Sequence, residues 1–201
     1  IGHTRWATHG EPSDLNAHPH TDVSGGISVV HNGIIENHEA LRRHLQSQGC
    51  IFVSQTDTEV VAHLLSSLYD GDMKATLLKA MQMLEGSYAL GVLCDAEPHK
   101  LFCVRHESPL VVGSKQGEAF IASDIPALLS HTRDVIFLKD KELAVLSEDG
   151  ISIYNQFGVP QEPEIYHVTW DLSSAEKGGY AHYMLKEIHE QPTALQNTFT
   201  P

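Results

Sequence analysis

The sequence predicts an α+β protein of stacked layers, and three observations predict it. Helical periodicity fills much of residues 37–84. From residue 87 onward, short apolar runs recur between turn signals, as in an antiparallel sheet. The two patterns follow one another instead of alternating, which argues for segregated helix and sheet layers over parallel βαβ units.

Residues 1–26 read as loop, punctuated by Gly10, Pro12, Pro19, Gly25 and Gly26. Residues 27–31 alternate and are β-branched, a strand, and Asn32-Gly33 behind them is a turn signal. A helix is expected from an Asn37 cap to about Gln48, with Gly49 just beyond its end. Its apolar stripe, Leu41 and Leu45, is thin, the mark of a surface helix. Residues 51–53 read as a short strand. Thr56-Asp57-Thr58-Glu59 has capping-box spacing. Val60, Val61, Leu64, Leu65 and Leu68 follow at helical spacing as a buried face, and Asp70-Gly71 closes that helix. A third helix is expected over residues 73–84, capped by Asp72 and ended by Gly86. Seven strand-like runs follow, at 88–94, 101–104, 110–113, 119–122, 135–138, 143–146 and 151–154, with a helical turn around 125–129. Residues 170–179 read as a polar linker. Residues 180–191 read as a helix with Pro192 behind it. Tyr183, Met184, Ile188 and Leu195 have few apolar partners nearby in sequence and are expected to pack on something outside these residues.

With 201 residues, 41% hydrophobic and 19% charged, the chain can bury a core without disulfide staples and is no disordered polymer. Thirteen basic against 26 acidic residues give a net charge of −13. That balance excludes a phosphate-tracking nucleic-acid binder and a protein that docks on anionic lipid. No apolar run approaches the ~18 residues of a membrane span. The odd trio Cys50, Cys94 and Cys103 fits a reducing, cytoplasmic compartment. The start at Ile1 has no signal-peptide layout and opens directly on a dense polar motif, as expected of an internal piece of a longer chain.

No Gly-rich phosphate loop, HExxH helix, zinc-finger Cys pair or GxSxG elbow is present. Fourteen histidines invite a metal reading, most tightly at His18-Pro19-His20, with His3, His9 and His31 elsewhere. A third ligand at suitable spacing is not evident, and hydrogen bonding to loop backbone is the simpler reading. The segment Gly2-His3-Thr4-Arg5-Trp6-Ala7-Thr8-His9-Gly10 joins a guanidinium, an indole, two hydroxyls and two imidazoles between glycines. A guanidinium fork suits a carboxylate, and glycine permits close backbone approach. A site for a small carboxylate-bearing molecule therefore stands beside an ordinary Arg ion pair with a half-buried Trp. A strand ending in Asn32-Gly33 can aim a side-chain amide and a backbone N–H at one point, as an oxyanion hole requires. The competing reading is a hairpin turn, weakened because a helix follows. Asp57, just inside a helix N-terminus, is either an ordinary first-turn carboxylate or the receiver of an ammonium group.

Taken together, His3–Gly10, Asn16-Ala17-His18-Pro19-His20, His31-Asn32-Gly33-Ile34-Ile35-Glu36-Asn37 and Thr56-Asp57-Thr58-Glu59 resemble one family. It is the glutaminase (type 2 glutamine amidotransferase) domain of glucosamine-6-phosphate synthases, the isomerizing glutamine–fructose-6-phosphate aminotransferases. Ser108-Pro109-Leu110 and Ala122-Ser123-Asp124 fit it further. His182-Tyr183-Met184, Lys186-Glu187-Ile188 and Glu190-Gln191-Pro192 resemble the family's entry into its sugar-isomerase half. Trp6 and the Lys-Glu-Ile stretch favour this family over phosphoribosyl-pyrophosphate amidotransferases and asparagine synthases.

The resemblance implies an N-terminal-nucleophile fold, an αββα sandwich of two antiparallel sheets, incomplete here. Residues 1–169 would be the glutaminase domain without its N-terminal segment, 170–179 a linker, and 180–201 the start of the isomerase half. Glutamine would be hydrolysed to glutamate and ammonia, and the whole enzyme would convert fructose 6-phosphate to glucosamine 6-phosphate. By position, Arg5 would clamp the glutamine carboxylate and Asp57 its ammonium, with Thr8 and His9 lining the pocket. Asn32 and Gly33 would form the oxyanion hole, and Trp6 would gate the ammonia channel. His18 lies near the site without an assigned role. The implied partners are glutamine, the isomerase half of the same enzyme and, in the full enzyme, further copies of itself; no cofactor, metal, nucleic acid or membrane is expected. The family's nucleophile is a cysteine at the mature N-terminus, activated with help from its own α-amine. Here Cys94 and Cys103 lie in strand-like runs, and Cys50 follows a helix C-terminus, where the dipole raises a thiol pKa. The expectation is therefore no glutaminase turnover by these residues alone, and open sheet edges where strands are missing. A non-catalytic glutamine-binding or interaction module is the alternative.

Overall fold

The computed structural model describes residues 1–170 and 177–199; most of the expected 170–179 linker thus lies outside the described residues. Two antiparallel sheets are stacked. The larger contains β1 (His20–Thr21), β2 (Ile27–Ile35), β3 (Gly86–Cys94), β4 (Leu101–His106), β8 (Glu142–Ser147), β9 (Gly150–Tyr154) and β10 (Pro160–Gln161), in the order β1-β2-β3-β4-β8-β9-β10. The smaller contains β5 (Val111–Lys115), β6 (Glu118–Ala122), β7 (Asp134–Phe137) and β11 (Ile165–His167), in the order β11-β7-β5-β6. Helices α1 (His38–Ser47), α2 (Asp57–Leu68) and α3 (Met73–Ala80) cover the outer face of the larger sheet.

Strand alternation builds two cores at once. Along β3, Tyr88, Leu90, Val92 and Cys94 enter the core beneath the helices, whereas Ala89 faces the smaller sheet. Phe102 and Val104 against Cys103 in β4, and Leu143 against Ala144 and Leu146 in β8, divide in the same way. This is the period-two logic of a strand buried on both faces. At Gly91 the sheets lie close together: a Cβ there would lie 2.6 Å from Ile121 Cδ1. Beyond the smaller sheet, Leu128, Leu129, Val168 and Trp170 pack on Val111, Val135 and Phe120. The fourth layer is thus thin, built from residues around the 3₁₀ turn Ile125–Ala127 and the chain after β11.

The α+β class and all seven expected strand runs are present. Several local expectations are corrected. Residues 51–53 form no strand, because the N–H groups of Val53 and Ser54 donate to the Glu59 carboxylate, both at 2.8 Å. The third helix ends at Ala80 instead of Leu84; a tight turn follows, in which the Asn37 carboxamide bonds Met83 O and Glu85 N. The last helix, α4 (Tyr183–Phe199), runs through Pro192. A proline removes one intrahelical bond, here to the Ile188 carbonyl, and the helix-favouring Ala194, Leu195 and Gln196 carry the pattern on. Tyr183, Met184, Ile188 and Leu195 are all more than half exposed on it. The short strands β1, β10 and β11 leave no mark in the sequence, since two or three residues carry no periodicity.

Candidate active site

A cleft of about 240 Å³ opens where the end of β2, the N-terminus of α2 and the loop of residues 3–9 meet. Arg5, Trp6, Thr8, His9, Asn32, Gly33 and Asp57 all line it, together with His18. Residues from four separate stretches of sequence, 5–9, 18, 32–33 and 57, are thereby brought to one place.

Asn32-Gly33 makes no turn. The β2–β3 ladder runs unbroken from Ile27↔Cys94 to Ile35↔Gly86, with Gly33 opposite Tyr88. Glycine is required here for another reason. Its φ is +133°, and a Cβ would lie 2.1 Å from the Ser87 carbonyl oxygen and 2.8 Å from Ser108 Oγ. The site thus places Asn32 and Gly33 on an ordered strand, where they can present amide donors together.

Asp57 is the first residue of α2 and is buried. Its Oδ2 accepts the Ile35 N–H at 2.8 Å and lies 3.7 Å from His31 Nδ1. Thr56 caps the helix, its Oγ1 accepting the Glu59 N–H at 3.3 Å. Only half of the capping box forms, because the Glu59 side chain turns to Val53, Ser54 and the Ser54 hydroxyl. Burial alone would push the Glu59 carboxyl up, but His63, Ser54 and Val53 outweigh it and hold the carboxyl at about 2. Arg42 braces the same corner by donating to Ser54 O at 3.1 Å and Thr56 O at 2.7 Å.

The opposite wall is irregular. Arg5 has φ +51°, and its guanidinium donates to the carbonyls of His9, of Gly10 at 3.0 Å and of Glu11 at 3.4 Å. The fork therefore fastens its own loop in this structure. Asn16 ties that loop to the segment before α2: its Oδ1 accepts the Gln55 N–H and its Nδ2 donates to Glu11 O, both at 2.9 Å. Gly10 lies close against this latch, with φ +76° and no room for a Cβ beside Asn16 and Gln55. Trp6 is 90% exposed at the mouth, not half-buried.

Imidazoles line the floor. His3 stacks on His18 at 5.0 Å, and His18 meets His20 edge-on at 5.2 Å. Burial, reinforced by the neighbouring His20, His3, His31 and Arg5, lowers the His18 pKa to about 3. Burial also lowers His31, with Asp57 pulling the other way. Among the described residues no three His, Cys, Asp or Glu side chains are grouped to hold a metal ion. None of Cys50, Cys94 and Cys103 lines the cleft. Cys103 is fully buried, its thiol pushed up to about 12 by burial, and Cys94 is buried beneath the helices. Ser87 also lines the cleft and went unread in the sequence. Its place comes from pairing with Ile34, which no local signal announces.

A cation and an anion on facing walls, with amide donors between, can hold a zwitterion that carries a carbonyl group. Comparisons with known proteins identify the family. Proteins named glutamine–fructose-6-phosphate aminotransferase [isomerizing] from Clostridium tetani and Symbiobacterium thermophilum are each 56% identical over 200 residues, which is 100% of this chain and 33% of theirs. The Thermotoga maritima protein of that name is 51% identical over 197 residues, covering 98% of this chain and 32% of its own. The chain thus spans about a third of the length of the curated relatives it matches. Among solved structures, glutamine phosphoribosylpyrophosphate amidotransferase from B. subtilis, complexed with ADP and GMP, aligns with a TM-score of 0.62 at 24% identity. The alignment covers 77% of this chain and 34% of that one, and it shows the shared fold. No helix among the described residues is long and apolar enough to cross a membrane. The sequence profile of the glutamine amidotransferase domain matches residues 3–130, from the loop that carries Arg5 to just beyond β6, and the chain belongs to that family.

Proposed function

We propose that this chain forms the glutamine-hydrolysing part of a longer isomerizing glutamine–fructose-6-phosphate aminotransferase. The observation that carries the reading is the gathering of Arg5, Asp57, Asn32 and Gly33 around one cleft. Asp57 receives the α-ammonium of glutamine. Arg5 exchanges its loop carbonyls for the α-carboxylate, to which a guanidinium makes stronger, bidentate bonds. Thr8 and His9 line the pocket. The Asn32 carboxamide and the Gly33 N–H hold the oxyanion of the tetrahedral intermediate. Trp6, exposed at the mouth, gates the passage of ammonia.

The nucleophile is a cysteine other than the three in this chain. Its α-amine takes the thiol proton and returns it to the departing nitrogen as the carbon–sulfur bond forms and the carbon–nitrogen bond breaks. Water then hydrolyses the thioester to glutamate. Residues 1–169 form this domain, 170–179 link it, and 180–201 begin the isomerase half, against which Tyr183, Met184, Ile188 and Leu195 pack. The isomerase half converts fructose 6-phosphate to glucosamine 6-phosphate, in a cytoplasmic homo-oligomer. The net charge of −13 suits a part that handles an amino acid while a sugar phosphate binds elsewhere.

Calorimetric titration with L-glutamine tests the reading. Arg5→Ala and Asp57→Asn should each weaken binding about tenfold or more, as loss of a charge-assisted contact does. Equal affinity in all three proteins, or no binding by the unvaried chain, would overturn it.

A further inference from the structure

We infer that Arg105 and Ser108 position the Gly33 backbone, an inference that rests on the reading of its N–H as an oxyanion donor. Gly33, Tyr88 and His106 lie in one row across β2, β3 and β4. Beyond His106 the chain leaves the sheet through Glu107, whose φ is +61°, and reaches Ser108. Ser108 is buried, and its Oγ lies 2.8 Å from the point a Gly33 Cβ would occupy. Ser87 O and Ser108 Oγ thus both crowd the space that a side chain at residue 33 would need.

Ser87 is held by the ladder, opposite Ile34. Ser108 lies outside any strand and depends on other restraints. Arg105 supplies them: its Nε donates to Ser108 O at 2.9 Å, Nη1 to Leu138 O at 2.9 Å and Nη2 to Glu107 O at 3.5 Å. Asp140 completes the clamp. Its Oδ1 accepts the Glu107 N–H at 2.6 Å, and its Oδ2 lies 2.8 Å from His106 Nδ1. The turn that ends on Gly33 is thus fastened to residues 138–140 by one planar fork and one carboxylate. A lysine carries its three donors on one nitrogen and lacks the planar spread by which Nε, Nη1 and Nη2 reach three separate carbonyls. Arg105 touches no reacting atom; it acts through Ser108 on the placement of the Gly33 N–H. Misplacing an oxyanion donor weakens a contact made in the transition state and spares ground-state binding, so kcat falls and KM stays.

The test uses the full-length enzyme carrying this chain, assayed for ammonia release from glutamine, with its glycines labelled for NMR. Arg105→Ala and Arg105→Lys should lower kcat about tenfold or more with KM changed less than twofold. Both should also shift the Gly33 amide resonance. Ser108→Ala, which removes the Oγ beside Gly33, should lower kcat in the same direction as Arg105→Ala, and Ser108→Thr, which crowds the glycine, should lower it at an unchanged unfolding midpoint. An active enzyme whose Gly33 resonance and kcat survive Arg105→Ala overturns this inference alone. So does a kcat that falls only with the folded fraction. An unvaried enzyme that releases no ammonia overturns the glutaminase reading together with it.

Discussion

Asn32, Gly33 and Asp57 stand on backbone held from several sides, whereas Arg5, Trp6, Thr8 and His9 stand on a loop held chiefly by its own members. On the first wall, a nine-residue ladder fixes Gly33 and the Ile35 N–H fixes Asp57. On the second, the Arg5 fork grips carbonyls four to six residues away, Asn16 ties the loop to Gln55, and His9 meets His38 of α1 edge-on at 4.6 Å. The contrast shows how a site can combine accuracy with access. Groups that must meet developing charge belong on rigid elements, and groups that admit and cover a ligand belong on a loop that can reopen.

The sharpest way to break the ordered wall is Gly33→Ala. The new Cβ would collide with the Ser87 carbonyl in a backbone conformation that L-residues avoid. Urea unfolding should show a loss of about 3 kcal/mol or more. Glu59→Gln comes next, at about 2 kcal/mol, because a buried carboxylate loses part of its donor set. Its pH dependence sharpens the point. The folded-state pKa of about 2 lies below the ordinary 4.5, so the stability it contributes is full above about pH 4.5 and lost as pH falls toward 2. Unfolding midpoints at pH 7 and pH 3 should therefore converge more in Glu59→Gln than in the unvaried chain. On the loop wall, Trp6→Ala should change stability by less than about 0.5 kcal/mol, since the side chain is 90% exposed. A large loss in the same urea experiment would show that the loop is braced through its indole and would erase the contrast.

Most of this division was readable from residue order. The apolar runs at residues 88–94 and 143–146, set between turn signals, announced strands, and Thr56 announced the start of the helix that carries Asp57. The reading failed where a distant group outcompeted a local preference. Ile51 and Val53 have strand-like side chains, yet the Glu59 carboxylate captures the backbone there. Asn32-Gly33 has turn chemistry, yet β3 offers it an unbroken row of partners. The present partners of Arg5, and the placement of Asn16, Ser87, Arg105 and Ser108, depend on register and loop path, which no window of sequence contains.

The β2–β3 ladder also constrains how the molecule folds. Its innermost pair, Ile35 with Gly86, closes a loop over residues 36–85, which contain α1, α2 and α3. Closing a flexible loop of that length costs about 3–4 kcal/mol of chain entropy. Helices that condense first would shorten the effective span, and the strand bearing Asn32 and Gly33 is expected to zip up on a helical layer already assembled. Amide-exchange pulse labelling during refolding should find α2 protected before β2.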